Sequence, residues 1–238
     1  MNSINKTGIK IAATLCALGG LTLPALAEVT VYLTRHAEKQ TVMEEVDGQE
    51  GVFAEVCGDD KCAEELNPLG KMRARMLADW FESEGITPNV TNVYSSHKMR
   101  TLQTVQEIAA DAGLSNDKDM KADGVQQLPA MNTSELDDGT GSEGTKNTIA
   151  PTVEALKGLE AGSVAVVAGH SGTIYKIIDG LGIDTSSEAD FPRDTRKGKE
   201  GKVPTFGDIW KLTIKDDGTA VFDSRINLQP GALVAEAQ

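Results

Sequence analysis

The chain has 238 residues, with 23 Lys and Arg against 36 Asp and Glu, a formal charge of −13. So acidic a protein is a poor partner for nucleic acid or an anionic membrane surface, because its field repels phosphate. The same balance makes any local cluster of Arg and His informative, since an anionic ligand has to be met by concentrated positive charge.

Residues 1–27 read as a secretory signal: Lys6 and Lys10 in a basic start, an apolar stretch from Ile11 to Leu23, then Pro24 and the small-x-small pattern Ala25-Leu26-Ala27, leaving Glu28 first. The apolar run is shorter than the roughly 20 residues needed to cross a bilayer, and Gly19, Gly20 and Pro24 interrupt it. Ala13-Thr14-Leu15 before Cys16 does not make a lipobox. Stable membrane insertion is therefore not expected, and the expected location is the periplasm or the medium. Loss of Lys6 and Lys10 takes the charge to −15. The remaining chain of about 210 residues, 28–238, is long enough for one domain with a substantial core.

Glu28 to Thr34 is a β-branched run that predicts a first strand ending at Arg35 and His36. Gln40 to Leu66 is acidic and without sustained periodicity, an inserted loop or small cap. Asn67 and Pro68 signal a helix start. Leu69, Met72, Met76, Leu77, Trp80 and Phe81 are predicted on one face of that helix, and Gly85 ends it. A second strand, Val90 to Tyr94 or Ser95, leads through Ser96 and His97 into a helix carrying Met99, Leu102, Val105 and Ile108 toward the core, stopping near Gly113.

Gly124 to Leu128 is a weak strand candidate, and Asn132 to Thr148 a polar surface loop. A helix from about Ile149 to Leu159 precedes Ser163 to Ala168, which reads as a buried parallel strand ending at Gly169-His170-Ser171-Gly172 before an apolar helix to Gly180 or Gly182. Asp184 to Gly207 is polar and irregular. Ile209 to Ile214 and Ala220 to Ile226 alternate around Asp216-Asp217-Gly218, a hairpin signature. Strands alternating with helices predict an α/β fold, a three-layer α/β/α sandwich with a mostly parallel central sheet and a C-terminal hairpin.

Cys57 and Cys62 are the cysteines that remain beyond the signal. In an oxidising compartment they are read as a disulfide closing a short loop, with two reduced thiols as the alternative. The C-x4-C spacing with no His beside it argues against zinc.

Open α/β sheets bind ligands outside the carboxyl ends of their strands. Three predicted strands end in basic or imidazole groups: Arg35 and His36 after the first, Arg100 beyond the second, His170 after the third. The chain has only three His, and two of them stand here.

These segments resemble the histidine phosphatase superfamily, whose phosphoglycerate-mutase-like members open on an R-H-G motif. Leu33-Thr34-Arg35-His36-Ala37-Glu38 is similar to that opening, with Ala37 in the Gly position. Asn67-Pro68-Leu69-Gly70 resembles the family's L-[TS]-x-x-G helix start, Ser95 to Thr104 its S-x-x-x-R-T-x-[QE]-T segment, and Gly169-His170-Ser171 its late G-H-S/G. The resemblance implies a phosphatase acting on a small phosphorylated substrate. In it, His36 takes the phosphoryl group as a phosphohistidine and passes it to water, while Arg35, Arg100 and His170 bind the phosphoryl oxygens and help in the transfer. No metal or other cofactor is needed in this scheme. Backbone N–H groups after Ser171 are further donors. His97, three residues before Arg100, is either a substrate contact or an ordinary loop residue.

Departures bear on mechanism. Many members supply a carboxylic acid that protonates the leaving oxygen; the comparable position here, in Leu128-Pro129-Ala130, holds Ala130, and Glu38, Glu135 and Asp137 are the available substitutes. Without such an acid, substrates with good leaving groups are favoured. The alternative reading is a non-catalytic module that binds a phospho-ligand, motivated by the missing acid and by Ala37, whose methyl group matters if the position needs φ > 0. A metal-dependent hydrolase has little support, as no H-x-x-x-H or paired Cys-His spacing occurs. Arg193, Arg196, Lys197, Lys199 and Lys202 form either a collar attracting an anionic substrate or a solvated loop.

Overall fold

The computed structural model describes residues 28–40, 65–95, 99–114, 124–127, 149 and 152–228. The expected signal, His97, Ala130, Glu135, Asp137 and the Cys57–Cys62 pair lie outside these residues. Among the described residues, no helix is long and apolar enough to cross a membrane.

One sheet organises the chain. Its strands are β1 (Val29–Arg35), β2 (Asn92–Ser95), β3 (Gln126–Gln127), β4 (Val164–Gly169), β5 (Asp208–Ile214) and β6 (Ala220–Asn227), in the spatial order β3-β2-β4-β1-β5-β6. The helices are α1 (Pro68–Ser83), α2 (Met99–Asp111), α3 over 152–157, and α4 (Ile174–Gly180). The α/β class expected from alternating strands and helices is what the chain adopts.

The expected mostly parallel sheet needs correction, because the sheet is mixed. β3, β2, β4 and β1 run parallel, whereas β5 lies antiparallel to β1 and β6 antiparallel to β5, and the longest ladder is the antiparallel hairpin. The physical reason is the connection between α4 and β5. The parallel neighbours are reached by crossovers, but the irregular segment 184–207 returns the chain to the carboxyl edge of the sheet and feeds β5 in from that side. The hairpin itself matches the sequence pattern around Asp216-Asp217-Gly218, where Gly218 supplies φ +77° for the turn.

Strand side chains alternate between two apolar clusters. Val29, Val31, Leu33, Ala165 and Val167 face α3, α4 and the 184–207 segment through Leu156, Ile174, Ile177, Ile178, Phe191 and Val203. Tyr32, Val93, Val166 and Ala168 face α1 and α2 through Leu77, Phe81, Leu102, Val105 and Ile108. β1 and β4 are buried on both faces for most of their length, which is why β4 reads as an unbroken apolar run and β1 as one interrupted only by Thr30 and Thr34 before Arg35.

Helix α1 starts as expected, with Asn67 Oδ1 accepting from the Gly70 N–H at 2.8 Å. Its inward face holds the expected Leu77 and Phe81 but departs from expectation in the first turns. Leu69 and Met72 are 44% and 46% exposed, while Gly70, Arg73, Ala74, Leu77, Ala78 and Phe81 are buried. The loop after β1 decides this rotation. Gly70 packs so closely on it that a Cβ there would lie 2.1 Å from the Glu38 carbonyl oxygen, and Arg73 turns inward to Glu38. The expected insertion after Gln40 is closed at its base, since the Gln40 N–H donates to Glu65 O at 2.8 Å and Lys39 bridges Leu66.

Candidate active site

Parallel register brings the motifs together. β4 lies between β1 and β2, with Arg35 opposite Gly169 and Ser95 opposite Ala168, so three strand ends lie level at one edge. The His36 N–H then donates to Gly169 O at 2.8 Å, tying the first motif to the last. Thr104 ties the first to the second: its Oγ1 accepts from the Ala37 N–H at 3.0 Å and donates to Arg100 O at 2.6 Å. All four sequence-predicted residues, Arg35, His36, Arg100 and His170, line one open cleft of about 560 Å3.

The imidazole of His36 has a defined orientation. Nδ1 lies 2.7 Å from its neighbour's carbonyl, Ala37 O; a carbonyl only accepts, so the ring proton is on Nδ1 and the lone pair on Nε2. His36 is 6% exposed, and its ring packs 5.4 Å from His170 and 6.0 Å from Phe206, centroid to centroid. Burial pushes its pKa well below the ordinary 6.5, with His170, Arg100 and Arg35 acting in the same direction and the bond to Ala37 O opposing. His36 is therefore held as a neutral base.

Arg100, at the start of α2, is 2% exposed and brings Nη2 to 3.4 Å from His170 Nδ1. The His170 backbone is held by Thr173, whose Oγ1 accepts from the His170 N–H at 3.0 Å and donates to His170 O at 3.2 Å.

Arg35 is anchored from the other side. Nη1 donates to Val203 O at 3.1 Å and Pro204 O at 3.3 Å, its guanidinium carbon stacks 3.9 Å above the Phe206 ring, and Nε is buried with no hydrogen-bond partner among the described residues. Burial, then the charge of Arg196, lowers its pKa to about 10, against the pull of Asp194 and Glu38. Val203, Pro204 and Phe206 reach this edge because β5 enters the sheet there. No motif in the sequence marked them, and only the direction of β5 could have done so.

Glu38, one of the substitutes for the missing acid, borders the cleft but is committed elsewhere. Arg73 Nε donates to its two carboxylate oxygens at 3.0 and 2.8 Å, Arg73 Nη2 donates at 2.6 Å, and Arg73 Nη1 holds Leu228 O at 2.7 Å. Ala37, the departure from the family motif, buries its methyl group in a small cluster with Leu66 and Ala74.

The five basic residues of the last loop divide. Arg193 is structural, donating to Thr185 O and Oγ1 and to Gly201 O and lying 5.1 Å over the Tyr175 ring. Lys197 is exposed and outside the cleft, whereas Arg196, Lys199 and Lys202 line it. Among the described residues, no three His, Cys, Asp or Glu side chains are grouped as metal ligands would be.

A mixed α/β sheet whose parallel strand ends gather two arginines and two histidines in one cleft defines a protein built to receive an anion. Residues 31–123 match the family model described as Histidine phosphatase superfamily (branch 1). Over that segment the chain is similar to the histidine phosphatase superfamily. Among solved structures it is similar to protein histidine phosphatase SixA complexed with tungstate, at 16% identity over 83% of this chain and 96% of that one, TM-score 0.50. It is also similar to Mycobacterial hydrolase 2, at 14% identity over 87% and 95%, TM-score 0.51. Both likenesses concern the fold. No curated protein matches the chain.

Proposed function

We propose that this protein is a metal-independent phosphatase in which His36 accepts the phosphoryl group of a small substrate and transfers it to water. The observation that carries this is the tautomer of His36: a buried neutral ring with its proton fixed on Nδ1 leaves Nε2 as a nucleophile among Arg35, Arg100 and His170. In the first step Nε2 forms a bond to phosphorus while the bond from phosphorus to the leaving oxygen breaks. Arg35 and Arg100 bind the equatorial oxygens, and His170 is a further donor. In the second, water attacks phosphorus, the P–N bond breaks, and phosphate departs with Nε2 restored. A pure binding site has no need of a nucleophile so prepared.

The leaving-group preference belongs to the same proposal: with Ala130 at the usual acid position and Glu38 held by Arg73, the reading in which neither Glu135 nor Asp137 serves as the acid favours acyl phosphates, phosphoramidates and phosphoanhydrides over alkyl monoesters. Comparable kcat/KM for alkyl and aryl monoesters would count against this part. Helices on opposite faces of the sheet support the three-layer reading of the fold. Export, with cleavage before Glu28 and a Cys57–Cys62 disulfide, belongs to the same proposal; N-terminal sequencing of the mature protein that begins elsewhere would remove it.

The test is hydrolysis of an aryl phosphate with EDTA present, comparing wild type with His36→Ala. Activity that survives EDTA and falls by about 10^3 or more in the variant fits the nucleophile. Loss to EDTA alone, or full activity in His36→Ala, refutes it.

A further inference from the structure

Positive charge extends well beyond the four motif residues. Among the described residues lining the cleft, Arg35, Lys39, Arg100, Arg196, Lys199 and Lys202 are cationic and Glu38 alone is acidic, in a chain of net charge −13. Four of these charges are already engaged with the phosphoryl pocket or with partners, and a fifth, Lys39, stands apart at the bridge to Leu66: Arg35 and Arg100 stand beside the two histidines, Glu38 is neutralised by Arg73, and Arg196 forks onto Asp194 at 2.9, 3.1 and 2.5 Å. Lys199 and Lys202 are the surplus, moderated by the more distant carboxylates of Asp194 and Glu200.

Their position is built rather than incidental. The segment 194–203 is a closed loop, with the Asp194 N–H on Lys202 O at 2.8 Å, the Gly201 N–H on Asp194 O at 3.0 Å and the Lys199 N–H on Arg196 O at 2.9 Å. It is fastened to the site through the Val203 N–H on Ser171 O at 2.9 Å and through Arg35 on Val203 O. The Lys202 side chain lies along the turn after His170, its Cε 3.9 Å from where a Cβ on Gly172 would sit.

Direction then matters. Phosphoryl transfer places the attacking nitrogen and the leaving oxygen roughly in line across phosphorus. His36, His170 and Arg100 are buried at the floor, whereas Arg196 and Lys199 are exposed and Lys202 half-buried at the rim. Attack from the floor sends the leaving group outward, past the lysines.

We propose that Lys199 and Lys202 form a second anion subsite, selecting substrates whose leaving group carries its own anionic group, a phosphate or a carboxylate, a few bonds from the transferred phosphoryl. This rests on the phosphatase reading and deepens it by naming the substrate class.

The experiment compares kcat/KM at low ionic strength for 3-carboxyphenyl phosphate and its neutral isostere 3-carbamoylphenyl phosphate, with pyrophosphate as the phosphate-bearing arm. Wild type is expected to favour the charged member by about tenfold, two partly solvated charge contacts being worth roughly that much. The preference falls to near unity in Lys199→Gln/Lys202→Gln and in high salt, and stays at the wild-type value in Lys197→Gln. Preference for pyrophosphate alone identifies phosphate as the second group; preference for the carboxyphenyl ester alone identifies carboxylate. A wild type indifferent to the charge, or a double variant that keeps the preference, overturns the subsite. Calorimetry keeps the two proposals separable. On a His36→Ala background, pyrophosphate should bind about tenfold tighter than phosphate only while both lysines are present. Absence of turnover with every probe sinks the phosphatase, whereas equal affinities sink the subsite.

Discussion

Replacing Arg73 by Ala removes the group that holds Glu38 beside the nucleophile, and its cost can be worked from the contacts. Three N–O contacts of 2.6 to 3.0 Å join the two side chains, which are 8% and 13% exposed, and a further bond of 2.7 Å reaches Leu228 O. Breaking one partner of a buried pair costs about 3–5 kcal/mol, since the other charge is left uncompensated. Glu38 borders the open cleft, where water can approach it, so we take the lower end, about 3 kcal/mol. For a domain of this size that is a fall in Tm of about 9 °C. Urea denaturation of wild type, Arg73→Ala and the charge-free pair Arg73→Met/Glu38→Gln measures it directly. The double variant should recover at least half of the loss, because neither charge remains to be buried. An Arg73→Ala protein within about 0.5 kcal/mol of wild type, or a double variant no better than the single, would refute the reasoning.

Two further outcomes follow. Thr104→Val keeps the volume but strands the buried Ala37 N–H, so stability should drop by about 1–3 kcal/mol and kcat should fall as the tie between the first and second motifs is lost; denaturation and steady-state kinetics check both, and unchanged values would contradict the role given to Thr104. The lowered pKa of His36 has a defined sign in stability. Below pH 6.5 the unfolded chain takes up a proton that folded His36 refuses, so this residue's contribution is intact above pH 6.5 and is lost as pH falls from there toward the folded value. Unfolding free energies between pH 7.5 and 5 should therefore decline more steeply for wild type than for His36→Asn, and equal slopes would remove the claim.

The residues at the strand ends were legible because each sits at or shortly beyond the end of a predicted strand, and at such a position an Arg or His is out of place unless it serves the loop. Arg35, His36, Arg100 and His170 all satisfied that pattern and all line the cleft. In α1 the inward Leu77 and Phe81 were legible but the first turns were not, because periodicity ranks Leu69 and Met72 above Gly70 and Arg73. What overrides it is a long-range contact with Glu38, which no local window contains. The direction of β5 escaped for a related reason: alternation identifies a strand and its hairpin partner but not the edge of the sheet from which the chain returns. That direction brings Phe206, Pro204 and the basic loop to Arg35, and it separates Arg193, which braces the loop, from Lys199 and Lys202, which face the cleft.

The central claim is that His36 Nε2 carries the phosphoryl group, and trapping that intermediate tests it most directly. Wild type, His36→Ala and His170→Ala proteins would be mixed with a fast aryl or acyl phosphate substrate, quenched in alkali within milliseconds, digested and examined by mass spectrometry. A phosphoryl group is expected on the peptide containing His36, stable in alkali and lost in acid, with no such adduct in His36→Ala. An adduct on another residue, or turnover by wild type with no adduct at the earliest times and direct transfer to water with single inversion at phosphorus, would contradict the claim.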